Sequence, residues 1–432
     1  MPAAPGFAAR LAEVVPTLAE SYGTPFHIYD EAGIRATHRA MVAAFGDWPV
    51  TQYFAVKALP NPAILRALAQ EGSGLDCSSP VELRLAGEVG VSGEAIVFTS
   101  NNTTRAELAM ALDRGARITF DDAAHLALAT QLPATVAFRV APHGAAATSA
   151  LMGAAGQSKF GVPRDRLAEA YRLALARGAT RFSIHGMTCA NELSVAVALA
   201  AARDLVETAR AVEAETGIAF DSVNFGGGLG IPYRPGETAF DFAAYAAGLV
   251  ALLREAFPGR RPRILMECGR YVSGPHGVLV ARVVNRLDKG RLIVGLDASM
   301  SALMRPGFYS AAYHHVTLPF AEAGRRRVTA DVVGSLCENV DRFAVDRQIA
   351  DPRVGDLVWI HDTGAHGAAM GFTYNGRLRP AELLLKNDGR VVEIRRAERF
   401  EDYVATLADG TRTLARAPSA GVAAIRLDGI AV

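Results

Sequence analysis

The sequence predicts an α/β fold: a parallel (β/α)8 TIM-type barrel over about residues 25–280, then a separate β-rich domain, Greek-key-like and barrel-shaped, over 281–432. Three observations carry that expectation. Short apolar runs alternate with Ala/Leu-rich helical stretches, giving about eight strand–helix units in the roughly 250 residues such a barrel takes. After about residue 278 the texture changes to strand-like runs with few long helices between them. Charged or glycine-rich residues recur where the predicted strands end, which is where barrel chemistry sits.

In chain order, YGTPFHIYD (22–30) reads as a strand leading into the barrel, and residues 1–24 are expected to rejoin the second domain. TQYFAV (51–56) reads as a strand, and NPAILRALAQE (61–71) as a helix with Asn61 as N-cap and Pro62 at its first position. The pattern repeats in EAIVFTS with TTRAELAMALDRG, RITF with DDAAHLALATQ, TVAFRV with RDRLAEAYRLALARG, RFSIHG with the long helix after Asn191, SVNFGGG and RILMECG. In the second domain GVLVARVVNRL, RLIVGLD, RRVTADVVGSL, DLVWIH and GRVVEIRRA read as strands.

Composition narrows the function. Lys plus Arg is 45 and Asp plus Glu is 44, a net charge of +1, so nothing marks a nucleic-acid or anionic-membrane partner. No stretch reaches the roughly 18 uncharged apolar residues of a spanning helix, and MPAAPGFAARLAEVVPTLAE lacks the pattern of a secretory signal. Cys77, Cys189, Cys268 and Cys337 lie far apart without a CxxC pair, which points to a reducing cytoplasm rather than a zinc site or disulfide scaffold. No metal is expected.

The strand ends carry the chemistry. Lys57 follows Tyr53, Phe54, Ala55 and Val56, and an amine so placed is expected to be partly desolvated, which favours Schiff-base formation. Asp76 ends GLDCSS, His185 ends RFSIHG, and Glu267 and Arg270 lie in LMECGR. The backbone N–H groups of Gly226, Gly227 and Gly228 can cradle a phosphate, with Arg270 adding a contact. Glu267 can hold a heterocycle nitrogen protonated, and the His185 imidazole can stack on a ring. A lysine, a phosphate cradle, a carboxylate and a stacking ring are the parts pyridoxal 5′-phosphate requires.

FAVKALPNPAIL, DCSSPVEL, FGGGLGIPY, ECGRYVSGPHGVL, LMRPGFYSAAYHH, GSLCENVDRFA and HDTGAHGAAMGFTYNGRLRPAELLL together resemble the diaminopimelate decarboxylases. These are fold type III, alanine-racemase-like pyridoxal-phosphate enzymes, alongside ornithine and arginine decarboxylases, and the resemblance runs from about residue 25 to 405. It implies that Lys57 carries the cofactor, that Glu267 partners the ring nitrogen, and that Gly226, Gly227, Gly228 and Arg270 surround the phosphate. His185 is then the stacking imidazole, with Asp76 close to the cofactor. Cys337 matches the residue that returns a proton after CO2 leaves, and Glu338 the one that meets the substrate's far ammonium. Arg305 and Tyr309 match residues that hold a substrate carboxylate. Cys337 and Glu338 would reach the active site of a second subunit in a head-to-tail homodimer.

Two departures stand out. Where the family writes HxHIGS, this chain has IHGMTCANE. With His185 as ring-stacker, Thr188 takes the phosphate serine's place; shifted by two, Met187 stands where the stacker would be. Where relatives commonly have GAYG, this chain has GAHG, so His366 replaces a phosphate-binding tyrosine, with Tyr374 a second candidate. The implied activity is decarboxylation of an amino acid, foremost meso-diaminopimelate to L-lysine in lysine biosynthesis. The alternatives are ornithine, lysine or a siderophore or antibiotic precursor as substrate, an amino-acid racemase, and a catalytically silent regulatory paralogue. His314 and His315 read as packing or surface residues, Arg325–Arg326–Arg327 as a solvated face, and Cys77, Cys189 and Cys268 as structural.

Overall fold

The computed structural model describes residues 5–142 and 158–407. Eight parallel strands close a barrel: β2 (Val50–Ala55), β3 (Gly74–Cys77), β4 (Ile96–Thr99), β5 (Arg117–Phe120), β6 (Val136–Arg139), β7 (Phe182–His185), β8 (Phe220–Asn224) and β9 (Arg263–Met266). Closure is made by β9 against β2, with Val50 opposite Ile264 and Gln52 opposite Met266. These strands read as continuous apolar runs because helices cover the outside and side chains fill the inside. The outer helices start where capping chemistry puts them. The Asn61 side chain accepts from the Ala63 N–H (3.0 Å) with Pro62 at the first position, and Thr104 with Glu107 forms a reciprocal capping box. DDAAHLALATQ, expected to be an α-helix, makes only a short 3-10 helix, Ala123–Leu128.

A second, mixed sheet of nine strands stands beside the barrel. It is built from β1 (Phe26–Asp30), β10 (Gly277–Asp288), β11 (Leu292–Leu296), β12 (Val316–Thr317), β13 (Arg327–Val333), β14 (Arg342–Ala350), β15 (Leu357–His361), β16 (Ala381–Leu385) and β17 (Val391–Arg395). Its pairings branch at β10, whose first half pairs β1 and β15 and whose second half pairs β11. Among the described residues they do not close into the Greek-key-like barrel expected from the sequence.

The strand at 26–30 also departs from expectation. It belongs to this second sheet, antiparallel to β10 and parallel to β16, and not to the barrel unit predicted from residue 25. All five of its residues are buried. Phe26 and Ile28 pack with Phe7, Leu11 and Val15 of the helix Pro5–Ser21, whereas Tyr29 joins the barrel's core. With Phe26 and Ile28 against that helix and Tyr29 against the barrel core, the strand is buried from both sides and sits at the join. The expected boundary at 280 likewise falls inside β10.

Candidate active site

A cavity of about 400 Å³ lies where the barrel strands end in the C-terminal direction. Lys57 reaches it from the 3-10 turn Val56–Ala58 after β2, Asp76 from β3, Arg139 and His185 as the last residues of β6 and β7, and Glu267 from just beyond β9. Lys57 is exposed toward this space rather than desolvated as the sequence suggested. Eight of the residues expected at the site thus meet in one place: Lys57, Asp76, His185, Gly227, Gly228, Glu267, Arg270 and His366 line it.

The two carboxyls in the cavity are driven apart. Burial alone would raise Glu267, but the His185 imidazole, with Nε2 3.2 Å from Oε2, the Asn224 amide, donating to Oε1 at 2.7 Å, and Lys57 hold it down at about 2. Burial raises Asp76 well above the usual range, and the Glu267 charge adds to that against the pull of Lys57. Glu267 is thereby held as an anion while Asp76 is pushed toward its protonated form, a division of roles typical of sites that hold and move protons. The His366 imidazole is held neutral by burial and by the nearby Arg270, Arg305 and Lys57 charges. Its backbone N–H donates to Ala58 O (2.8 Å), from a left-handed φ of +55°, tying the segment after β15 to the Lys57 turn.

The glycine turn after β8 is built for close approach. A Cβ on Gly226, Gly227 or Gly228 would come within 2.6, 2.4 and 2.1 Å of the Gly186, Glu267 and Cys189 carbonyl oxygens, and Gly226 and Gly228 have φ of +63° and +83°. Its N–H groups are not equivalent, however. That of Gly226 donates to Asn224 Oδ1 (2.9 Å) and that of Gly227 to the Met187 sulfur (3.3 Å). Among the described residues the Gly228 N–H has no acceptor. Arg270 approaches the same region and donates to the Tyr233 hydroxyl (2.6 Å).

A second groove of about 560 Å³ continues from the first, sharing Asn191, Arg270 and His366 with it. Arg305 and Tyr309 line it as expected, with Tyr233, Arg234 and Glu237. Arg305 is only 7% exposed, its guanidinium lies 5.0 Å over the Tyr233 ring, and its Nε has no partner. Among the described residues, no carboxylate forms an ion pair with Arg270 or Arg305.

Four expected residues are placed elsewhere. Cys337 and Glu338 are exposed on a loop before β14, where the Cys337 N–H donates to Asn375 Oδ1 (2.8 Å) and the Tyr374 hydroxyl hydrogen-bonds Glu338. Tyr374 is itself 53% exposed, so it does not line the cavity of its own chain. Thr188 faces a small space behind the glycine turn and lies 3.9 Å from Cys189 Sγ; Met187 is the residue that lines the main cavity. Sequence reasoning missed Arg139 and Asn224, although both end barrel strands and the strand-end rule reaches them. Arg139 is buried over the Phe160 ring (4.3 Å) with an unpartnered Nε, and Asn224 links Glu267 to the glycine turn.

These residues fit a phosphorylated pyridine aldehyde: an accessible amine, a permanent carboxylate, a turn that admits only glycine, and arginine at its edge. Residues 31–274 match the family described as pyridoxal-dependent decarboxylase, pyridoxal binding domain. Protein TabA of Pseudomonas amygdali pv. tabaci is 60% identical over 403 residues, covering 93% of this chain and 96% of that protein. A diaminopimelate decarboxylase of Methanothermobacter thermautotrophicus is 35% identical over 396 residues, covering 90% and 92%. The crystal structure of diaminopimelate decarboxylase from M. jannaschii in complex with L-lysine superposes with a TM-score of 0.85 at 28% identity, covering 91% and 94%. The chain belongs to the pyridoxal-dependent decarboxylases, the carboxy-lyases of diaminopimelate-decarboxylase type that use pyridoxal phosphate.

Proposed function

We propose that the enzyme decarboxylates an α-amino acid bearing a second, distal carboxylate, with meso-diaminopimelate going to L-lysine as the foremost substrate. The observation that carries this is the groove beyond the cofactor cavity, where the buried Arg305 and neighbouring Arg270 have no acidic ion-pair partner among the described residues. A buried guanidinium without a counter-charge favours an anionic ligand. A substrate ending in ammonium alone would meet repulsion there.

In this reading Lys57 presents the amine that holds the cofactor and later releases it to substrate. The Gly228 N–H, with Arg270 and His366, holds the phosphate, and Glu267 keeps the ring nitrogen protonated. Bound there, pyridoxal phosphate supplies an electron sink for the pair left when carboxylate departs. His185 and Asn224 keep the Glu267 carboxylate ionised and aimed. Arg305 and Tyr309 orient the distal carboxylate. Cys337 delivers the proton to Cα and Glu338 meets the distal ammonium, both from a second copy of the chain, because within one chain they lie outside the cavity.

CO2 release from meso-diaminopimelate, lysine and ornithine tests the proposal. Turnover of diaminopimelate alone is the expected result; turnover of lysine or ornithine in its place defeats it. A second reading, decarboxylation of another dicarboxylic amino acid, is kept because the relative at 60% identity, Protein TabA, does not carry the diaminopimelate decarboxylase name of the relative at 35%. CO2 release from such an acid, with none from diaminopimelate, would select it.

A further inference from the structure

The glycine turn holds its middle donor in an unusual way. The Gly227 N–H donates to the Met187 thioether sulfur at 3.3 Å, and the place where a Cβ would stand on Gly226 is 3.0 Å from the same sulfur. A thioether is a weak acceptor on a flexible side chain, whereas hydrogen bonds to an ionised phosphate oxygen are about twice as strong as neutral ones. Met187 lines the same cavity as Lys57, Glu267 and Arg270. The neighbouring Gly226 N–H is already taken by Asn224 and the Thr188 hydroxyl lies toward Cys189, so Gly227 and Gly228 are the turn's remaining donors.

We infer that Met187 sets how tightly this chain holds the cofactor's phosphate, because its sulfur and a phosphate oxygen compete for the single Gly227 N–H. The inference rests on the cavity being the pyridoxal-phosphate site. Removing the acceptor leaves that N–H unpaired until phosphate arrives, which favours binding; a stronger acceptor opposes it.

The experiment measures dissociation constants by equilibrium dialysis for pyridoxal phosphate and, as the phosphate-free control, pyridoxal, with wild type, Met187→Leu and Met187→Gln. Met187→Leu is expected to bind pyridoxal phosphate about two- to fivefold more tightly, and Met187→Gln more weakly by a similar factor. Pyridoxal affinity should stay constant in both. An unchanged or weakened pyridoxal phosphate affinity in Met187→Leu overturns the inference, as does an equal change for pyridoxal. If thermal melting shows that Met187→Leu is misfolded, Met187→Ala carries the same expectation. A wild-type protein that binds neither compound overturns the cofactor site itself, an outcome distinct from failure of the Met187 competition.

Discussion

Two regions bearing chemistry contrast sharply. At the barrel mouth Glu267, Asp76 and His185 are buried and fixed at or next to strand ends, and the environment of each carboxyl is set by its neighbours. On the loop before β14, Cys337 and Glu338 lie in water, held to Tyr374 and Asn375, with Val340 at 52% and Phe308 at 57% exposure nearby. The first region is complete within one chain. The second carries a thiol, a carboxylate and exposed apolar side chains with nothing of its own to work on. If the proposed roles hold, the fold of a single chain finishes the cofactor site and leaves the Cys337–Glu338 loop to act on a neighbour.

The largest expected effect breaks the first region. Lys57→Ala should bring CO2 release below detection and abolish fixation of a pyridoxyl group by borohydride, read by mass spectrometry of the peptide containing position 57. Substantial remaining turnover would remove Lys57 from its role.

The next effect tests whether the second region belongs to a neighbour's site. Cys337→Ala should slow product formation by about 100-fold, the low end for loss of a positioned general acid. Mixed in equal amounts with Lys57→Ala and allowed to exchange subunits, it should regain roughly a quarter of wild-type activity, since half of the dimers would be mixed and each would hold one intact site. No recovery on mixing would place the thiol in its own chain's chemistry or outside the reaction.

A smaller effect sharpens the contrast within the groove. Arg305→Ala should raise KM for a dicarboxylic substrate about 10- to 100-fold, the range for a lost charged hydrogen bond of about 1.5–3 kcal/mol. Competition by cadaverine, a diamine with no carboxylate, should change little. Equal loss for both would assign Arg305 to packing on Tyr233.

What the sequence made legible follows the same divide. Barrel strands are short apolar runs whose ends point one way, so Lys57, His185, Glu267 and the glycine turn could be placed from local pattern. FHIYD (26–30) has no such address: its sheet is decided by β10 and β16, hundreds of residues away, and its short, wholly buried run carries no pattern that assigns it to either unit. β14 escaped notice because RFAVDRQIA mixes charges into a half-exposed strand, and β16 because the Ala, Glu and Leu residues of AELLL favour helix over strand. Thr188 was misplaced for a related reason. Past the end of β7 the alternation of faces stops, and the backbone turn directs Met187, not Thr188, into the cavity.

The smallest effect separates the two buried carboxyls by pH. Glu267, held at about 2, contributes stability that is complete above its unfolded value of about 4.3 and is lost as pH falls toward 2. Asp76 has the opposite sign. Its proton is bound more tightly in the folded state, so its contribution is complete below about pH 3.9 and declines as pH rises. Asp76→Asn cannot ionise, and it should therefore raise Tm by about 1–3 °C at pH 7 while leaving it unchanged near pH 3. Thermal melts at the two pH values decide the matter. A shift of equal size at both would trace the effect to packing around β3, and a loss of Tm at pH 7 would mean that Asp76 is ionised and supported by Lys57 in spite of its burial.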